Sequence, residues 1–144
     1  MFIGEYTHAV DDKKRVTLPS KFKAGLGKKV VVTRGLDNCL FLFPHKTWEQ
    51  ISGEMAKLGM MQADTRGFSR FMFSGASEIE VDSMGRILVP DYLKEFAGVK
   101  SQVVFAGVHD RIEIWNDKRW ADYKKKIETD ADSMAEKLGA VGIK

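Results

Sequence analysis

A chain of 144 residues with 23 Lys and Arg against 20 Asp and Glu carries a net charge of +3 and is long enough for one sizeable core. Its single cysteine, Cys39, excludes an intramolecular disulfide and a cysteine-based zinc site. No apolar run approaches the roughly 18 residues of a membrane helix, and no signal-peptide pattern opens the chain, so a soluble, intracellular protein is expected.

The first expected element is a strand over residues 2–10, followed by a polar turn at Asp11–Lys14 and a short strand over residues 15–18 that Pro19 stops. Pro19 suits the start of a short helix to about Ala24, which Gly25 and Gly27 end. Residues 30–34 and 39–43 are β-rich and flank a turn at Gly35–Asn38, with Cys39 expected as a small buried hydrophobe. A helix from Pro44 to about Leu58 follows. Phe68, Phe71 and Met72 then recur at helical spacing, which predicts a linker helix within 60–75. Beyond it come strands over 76–81 and 86–89, a helix over 90–96 and strands over 102–106 and 111–115. A helix over 117–127 with Asp117 as N-cap, a charged helix over 129–138 and a glycine-rich tail complete the chain.

This order repeats itself. Val10-Asp11-Asp12-Lys13-Lys14-Arg15-Val16-Thr17-Leu18-Pro19 and Val81-Asp82-Ser83-Met84-Gly85-Arg86-Ile87-Leu88-Val89-Pro90 both follow V-D-x-x-x-R-[VI]-x-[LV]-P. After one extra residue in the second copy, Lys29–Gly35 parallels Ser101–Gly107, then Leu40–Phe43 parallels Ile112–Trp115, and Trp48 parallels Trp120. A repeat this long is one supersecondary unit used twice. The expected fold is α+β: tandem β-β-α-β-β-α repeats over 1–59 and 76–144 that share one core and form a closed barrel, since closure removes free sheet edges.

The D-x-x-x-R turn is the chemically informative motif. Asp11 and Asp82 are expected to organise their turns, accepting N–H bonds and holding Arg15 and Arg86. Lys13 and Lys14 have no such structural use, because they crowd positive charge beside Arg15. A loop that offers three cations to a polyanion explains them, with lysines meeting phosphates and arginine also able to read a guanine edge. The charge is uneven: residues 1–70 hold 12 basic against 7 acidic side chains (+5), and residues 71–144 hold 11 against 13 (−2). The second turn has no lysine, so the first is expected to dominate binding, with Arg86 contributing a weaker backbone contact or surviving as a relic.

With Phe2-Ile3-Gly4-Glu5-Tyr6 at the start, two motifs in register with two prolines, and the linker Arg70-Phe71-Met72-Phe73-Ser74-Gly75-Ala76, the chain resembles the MraZ family over essentially its whole length. These are bacterial transcriptional regulators of the division and cell-wall gene cluster. The resemblance implies an AbrB/SpoVT-like swapped-hairpin barrel and ring-shaped homo-oligomers, in the cytoplasm and on the nucleoid. It also implies sequence-specific binding of double-stranded DNA, at short direct repeats in the promoter of the protein's own operon, which it would repress. DNA contact then falls to Lys13, Lys14, Arg15 and Arg86, with Asp11 and Asp82 as loop organisers and no cofactor or metal.

Other classes fit less well. His8, His45 and His109 lack metal spacing, Ser20 lacks a nucleophile motif, and no glycine-rich phosphate loop follows a strand, so an enzyme is not expected. Trp48, Trp115 and Trp120 are expected as core or subunit-interface anchors rather than a base-stacking platform. An antitoxin-like or scaffold protein of the same barrel is the alternative. An antitoxin would end in an extended segment that wraps its toxin, whereas this chain ends in charged amphipathic helices.

Overall fold

The computed structural model describes residues 1–142; residues 143 and 144, the end of the expected second repeat, lie outside the described residues. The first copy comprises β1 (Phe2–Ala9), β2 (Arg15–Thr17), α1 (Ser20–Leu26), β3 (Lys29–Arg34), β4 (Leu40–Pro44) and α2 (His45–Ala56). Helix α3 (Ala63–Ser74) leads into the second: β5 (Ser77–Glu80), β6 (Arg86–Leu88), α4 (Asp91–Ala97), β7 (Gln102–His109), β8 (Arg111–Asn116) and α5 (Asp117–Ala140).

The strands form an antiparallel six-stranded sheet in the order β1-β7-β8-β4-β3-β5, and a separate ribbon of β2 and β6. Exchanging each strand for its counterpart in the other copy reverses the six-strand order and leaves it the same. β1 of the first copy pairs with β7 of the second, and β5 of the second pairs with β3 of the first. The pseudo-twofold axis passes between Phe41 and Glu113, which face each other in the β4–β8 ladder, and between Val16 and Ile87 in the ribbon.

The sheet is open, which corrects the expected closed barrel. β1 and β5 are its edges, and among the described residues the ribbon is bridged to the β1 side alone, Val10 to Val16. Pro19 and Pro90 follow close behind β2 and β6, so each ribbon strand has three residues, too few to extend its ladder along the sheet.

The ladders also shift the repeat by one residue. Ile79 pairs with Val30, and its counterpart His8 pairs with Val103, so Val30 corresponds to Val103 rather than Gln102. The second connector is longer because α4 ends at left-handed Gly98, after which the Val99 N–H bonds back to the Lys94 carbonyl at 2.8 Å and its side chain packs on the core. At the chain end, the two expected helices are one 24-residue helix. Its N-cap is Asn116 rather than Asp117: the Asn116 side chain accepts the Lys118 and Arg119 N–H groups at 2.9 Å each.

Neither copy closes a core alone. The main cluster mixes Leu18, Phe22, Val30, Val32, Leu40 and Leu42 with Ile87, Leu93, Val103, Phe105, Ile112 and Ile114. Trp115 is buried in a smaller cluster, with Trp120 and Tyr123 packed edge-on or tilted against its ring. Trp48 makes the corresponding contact with Phe43 and adds Phe73 of α3. Cys39 is fully buried, and burial pushes its thiol pKa well above the ordinary range. Among the described residues no helix is long and apolar enough to cross a membrane, and no cluster of His, Cys, Asp and Glu is placed to hold a metal.

Two substitutions test this shared core. Ile87→Ala removes a fully buried side chain at the pseudo-axis and should cost about 2–5 kcal/mol in urea unfolding. Gly107→Ala would put a Cβ 2.6 Å from the Ile3 nitrogen and 2.7 Å from the Phe2 carbonyl carbon, so β1 must lift from β7. Hydrogen exchange should show faster exchange in β1 than in β3–β4; unchanged protection of β1 would contradict its place in the sheet.

Candidate nucleic-acid interface

Each D-x-x-x-R turn is an Asx-type loop closed by its aspartate. In the first, Asp11 Oδ1 accepts the Lys13 N–H at 2.9 Å and the Arg15 N–H at 2.8 Å, while Oδ2 accepts Arg15 Nε–H at 3.2 Å. In the second, Asp82 Oδ1 accepts the Met84 N–H at 2.9 Å and the Arg86 N–H at 2.8 Å, and Oδ2 accepts Arg86 Nε–H at 2.8 Å. The backbones match as well. The Lys14 and Gly85 N–H groups bond to the Asp11 and Asp82 carbonyls at 3.0 Å each. Lys14 and Gly85 are left-handed, at φ 64° and 76°. Glycine adopts that conformation without penalty, whereas a lysine there is strained.

These bonds have an electrostatic consequence. The N–H group of Arg15, more than any other contact, holds the Asp11 carboxyl below its ordinary pKa, and Arg86 N–H does the same for Asp82. Each guanidinium is held by its Nε, about a quarter exposed, and among the described residues neither makes another side-chain hydrogen bond. With Nε taken by the carboxylate, the edge formed by the two terminal nitrogens is the one left for a bidentate acceptor.

The ribbon sets both arginines on one surface. Its register is Arg15 to Leu88, Val16 to Ile87 and Thr17 to Arg86. Side chains alternate across a strand, so the buried Val16–Ile87 pair fills the inner face and Arg15, Leu88, Thr17 and Arg86 share the outer one. Arg15 and Arg86 form a diagonal pair, on the order of 7 Å apart at Cβ. Turn one lies at one end of the ribbon, turn two at the other.

The four cations expected at the site are thus brought onto or beside one face, with differences. Lys13 is exposed at the first tip. Lys14 reaches Asp91 at the start of α4 at 3.7 Å, an exposed pair that solvent screens. At the second turn the counterparts are exposed Met84 and Gly85, and Lys23 of α1 lies beside Gly85. The second turn is built like the first, with a shorter Arg–Asp contact. The motif spacing did not reveal Thr17 and Leu88. Only strand pairing puts them on this face.

A duplicated strand–turn–strand unit, with two aspartate-clamped arginines on one outward ribbon, defines a tandem-repeat protein. The model of the family described as "MraZ protein, putative antitoxin-like" matches residues 1–71 and again 72–140. The chain is 46% identical to the transcriptional regulator MraZ of Acetivibrio thermocellus over 99% of this chain and 100% of that one. Its identity to proteins of the same name from Syntrophomonas wolfei and Clostridium beijerinckii is 43% and 46%, over the same shares. The chain belongs to the MraZ family of transcriptional regulators.

The aspartates give a pH prediction. A carboxyl whose pKa is lower in the folded state stabilises that state at neutral pH, and this contribution fades as pH falls from the unfolded toward the folded pKa. The Asp11→Ala/Asp82→Ala protein should therefore melt below the wild type at pH 7, and the gap should narrow below about pH 4. A gap of constant size down to pH 2.5 would contradict the ionised-carboxylate clamp.

Proposed function

We propose that this protein is a sequence-specific, double-stranded-DNA-binding transcriptional regulator whose ribbon face enters the major groove. The reading is carried by one observation: Arg15 and Arg86, each clamped through Nε by its own aspartate, share the outer face of a two-stranded ribbon. A β-ribbon fits the major groove, and a guanidinium with free terminal nitrogens matches guanine O6 and N7. Lys13 and Lys14 add phosphate contacts at the first turn, making it the stronger of the two. The targets are short direct repeats upstream of the protein's own division and cell-wall operon, which it represses from the cytoplasm and nucleoid.

Each ribbon offers only a few base contacts, so affinity calls for several ribbons on one scaffold. We propose a ring of identical subunits, with one copy's second half against the next copy's first. Two apolar surfaces support it. The far end of α5 exposes Met134 and Leu138 seven residues after Ile127 and Ala131, a helical stripe with none of its residues buried among the described residues. The α2–α3 side exposes Leu58, Phe68 and Phe73. Tethering then raises the effective concentration for each further contact, so binding should grow steeply with the number of repeats. The unbroken α5 also favours self-assembly over the alternative, an antitoxin-like or scaffold protein, which would instead copurify with a stoichiometric small partner.

Gel-shift titration on one, two and three tandem sites from the upstream region, alongside light scattering, tests the reading. Binding should be weak on one site and cooperative on two or more. A monomer that holds one site as tightly as three would sink it. Within the site, Lys13→Ala should lower the slope of log affinity against log salt by about 1 for all sequences. Arg15→Ala should cost roughly 1–3 kcal/mol and relax discrimination at one guanine. A larger loss with Arg86→Ala would reverse the ranking of the two turns.

A further inference from the structure

Leu88 is 55% exposed, directly across the ribbon from Arg15. Lone exposed apolar side chains are ordinary on soluble proteins and need no explanation. This one differs in its setting. Leu88 is the only apolar residue among the four outward positions of the ribbon, and the other three are Arg15, Thr17 and Arg86. Nothing in the local chemistry of a strand requires leucine there. The pseudo-symmetric position on β2 is Thr17, which faces Arg86 as Leu88 faces Arg15. Each arginine therefore has a methyl-bearing side chain as its direct cross-strand neighbour.

Cross-strand neighbours have their Cβ atoms about 4.5–5.5 Å apart, while successive bases along a strand are stacked about 3.4 Å apart. Two side chains so placed reach neighbouring base edges. In the major groove the apolar mark is the thymine 5-methyl group, and small apolar surfaces such as the threonine methyl are its usual partners. Resting on the DNA reading above, we infer that Leu88 is a specificity-determining residue: it packs on the 5-methyl of a thymine adjacent to the guanine read by Arg15. The recognition element of the first turn is then a guanine–thymine neighbour pair, read by one charged and one apolar side chain from opposite strands of the ribbon. Thr17 offers a smaller methyl beside Arg86, so the two ends of the ribbon differ in apolar as well as in basic contacts.

The inference is tested with a duplex selected from a random pool by the wild-type protein, remade with one thymine at a time replaced by deoxyuridine. Uracil keeps the pairing and the O4 acceptor and loses only the methyl. For the wild type, one such replacement should weaken binding about fourfold, the effect expected for one methyl group leaving an apolar contact. Leu88→Ala should bind the thymine and uracil forms of that site alike. 7-Deazaguanine at the neighbouring guanine should weaken the wild type and leave Arg15→Ala unaffected. Because Leu88 is exposed, Leu88→Ala should melt with the wild type. A wild-type protein indifferent to every replacement, or a Leu88→Ala protein that keeps the wild-type thymine preference, overturns the inference and leaves DNA binding itself standing. So does a sensitive thymine remote from the deazaguanine-sensitive guanine. A wild-type protein that selects no duplex at all overturns both.

Discussion

The structure depends on one constraint: strands of each copy must pair with strands of the other. A β-β-α-β-β-α unit of this length cannot bury enough apolar surface alone, and here neither copy attempts it. β1 leaves its own copy to pair with β7, β5 leaves its own to pair with β3, and the Val16–Ile87 pair fills the inner face of the ribbon on the pseudo-axis. The exchange places eighteen buried residues from both halves in one cluster. It also means that the two motifs cannot be positioned independently. Whatever sets Arg15 on its face sets Arg86 there too, because among the described residues the two strands have no other ladder partner.

On this symmetric scaffold, the chemistry is asymmetric. The aspartate clamp is the same in both turns, down to which carboxylate oxygen takes which N–H. The side chains around it are not. The first turn uses lysine at a left-handed position where the second uses glycine, accepting strain to keep a cation at the tip. Opposite the arginines stand Leu88 and Thr17. Duplication thus supplied a rigid frame, and divergence in a few outward positions made its two ends different surfaces. The excess of positive charge in residues 1–70 belongs to the same divergence.

The clamp also bears on specificity. A free arginine side chain loses rotamer freedom when it binds, whereas one fixed through Nε by a carboxylate has already lost much of it on folding. The cost is a carboxylate on the same face as the cations. That charge repels phosphates, and it is offset because the carboxylate's acceptor positions are turned toward the loop N–H groups and the guanidinium. The Lys13 backbone belongs to this network, but its exposed side chain takes no part in it, and under the proposed DNA reading it meets a phosphate as a point charge.

Local sequence determined much of this protein. The repeated V-D-x-x-x-R pattern, the two prolines and the paired tryptophans made the duplication, the order of elements and the loop-closing role of the aspartates legible, because turns, caps and helix stops depend on a few neighbouring residues. The single helix α5 in place of two was equally a local matter, since no residue between Ile127 and Thr129 breaks the backbone ladder. Two features were decided by tertiary structure. The sheet stays open because β2 and β6 are too short to extend it, a matter of which strands pair. Leu88 and Thr17 join the arginine face through a register set between residues some seventy positions apart. Pattern along the chain shows which residues can turn, pair or bury. Which of them stand opposite one another is settled only when the strands meet, since a shift of one residue would send every side chain to the other face.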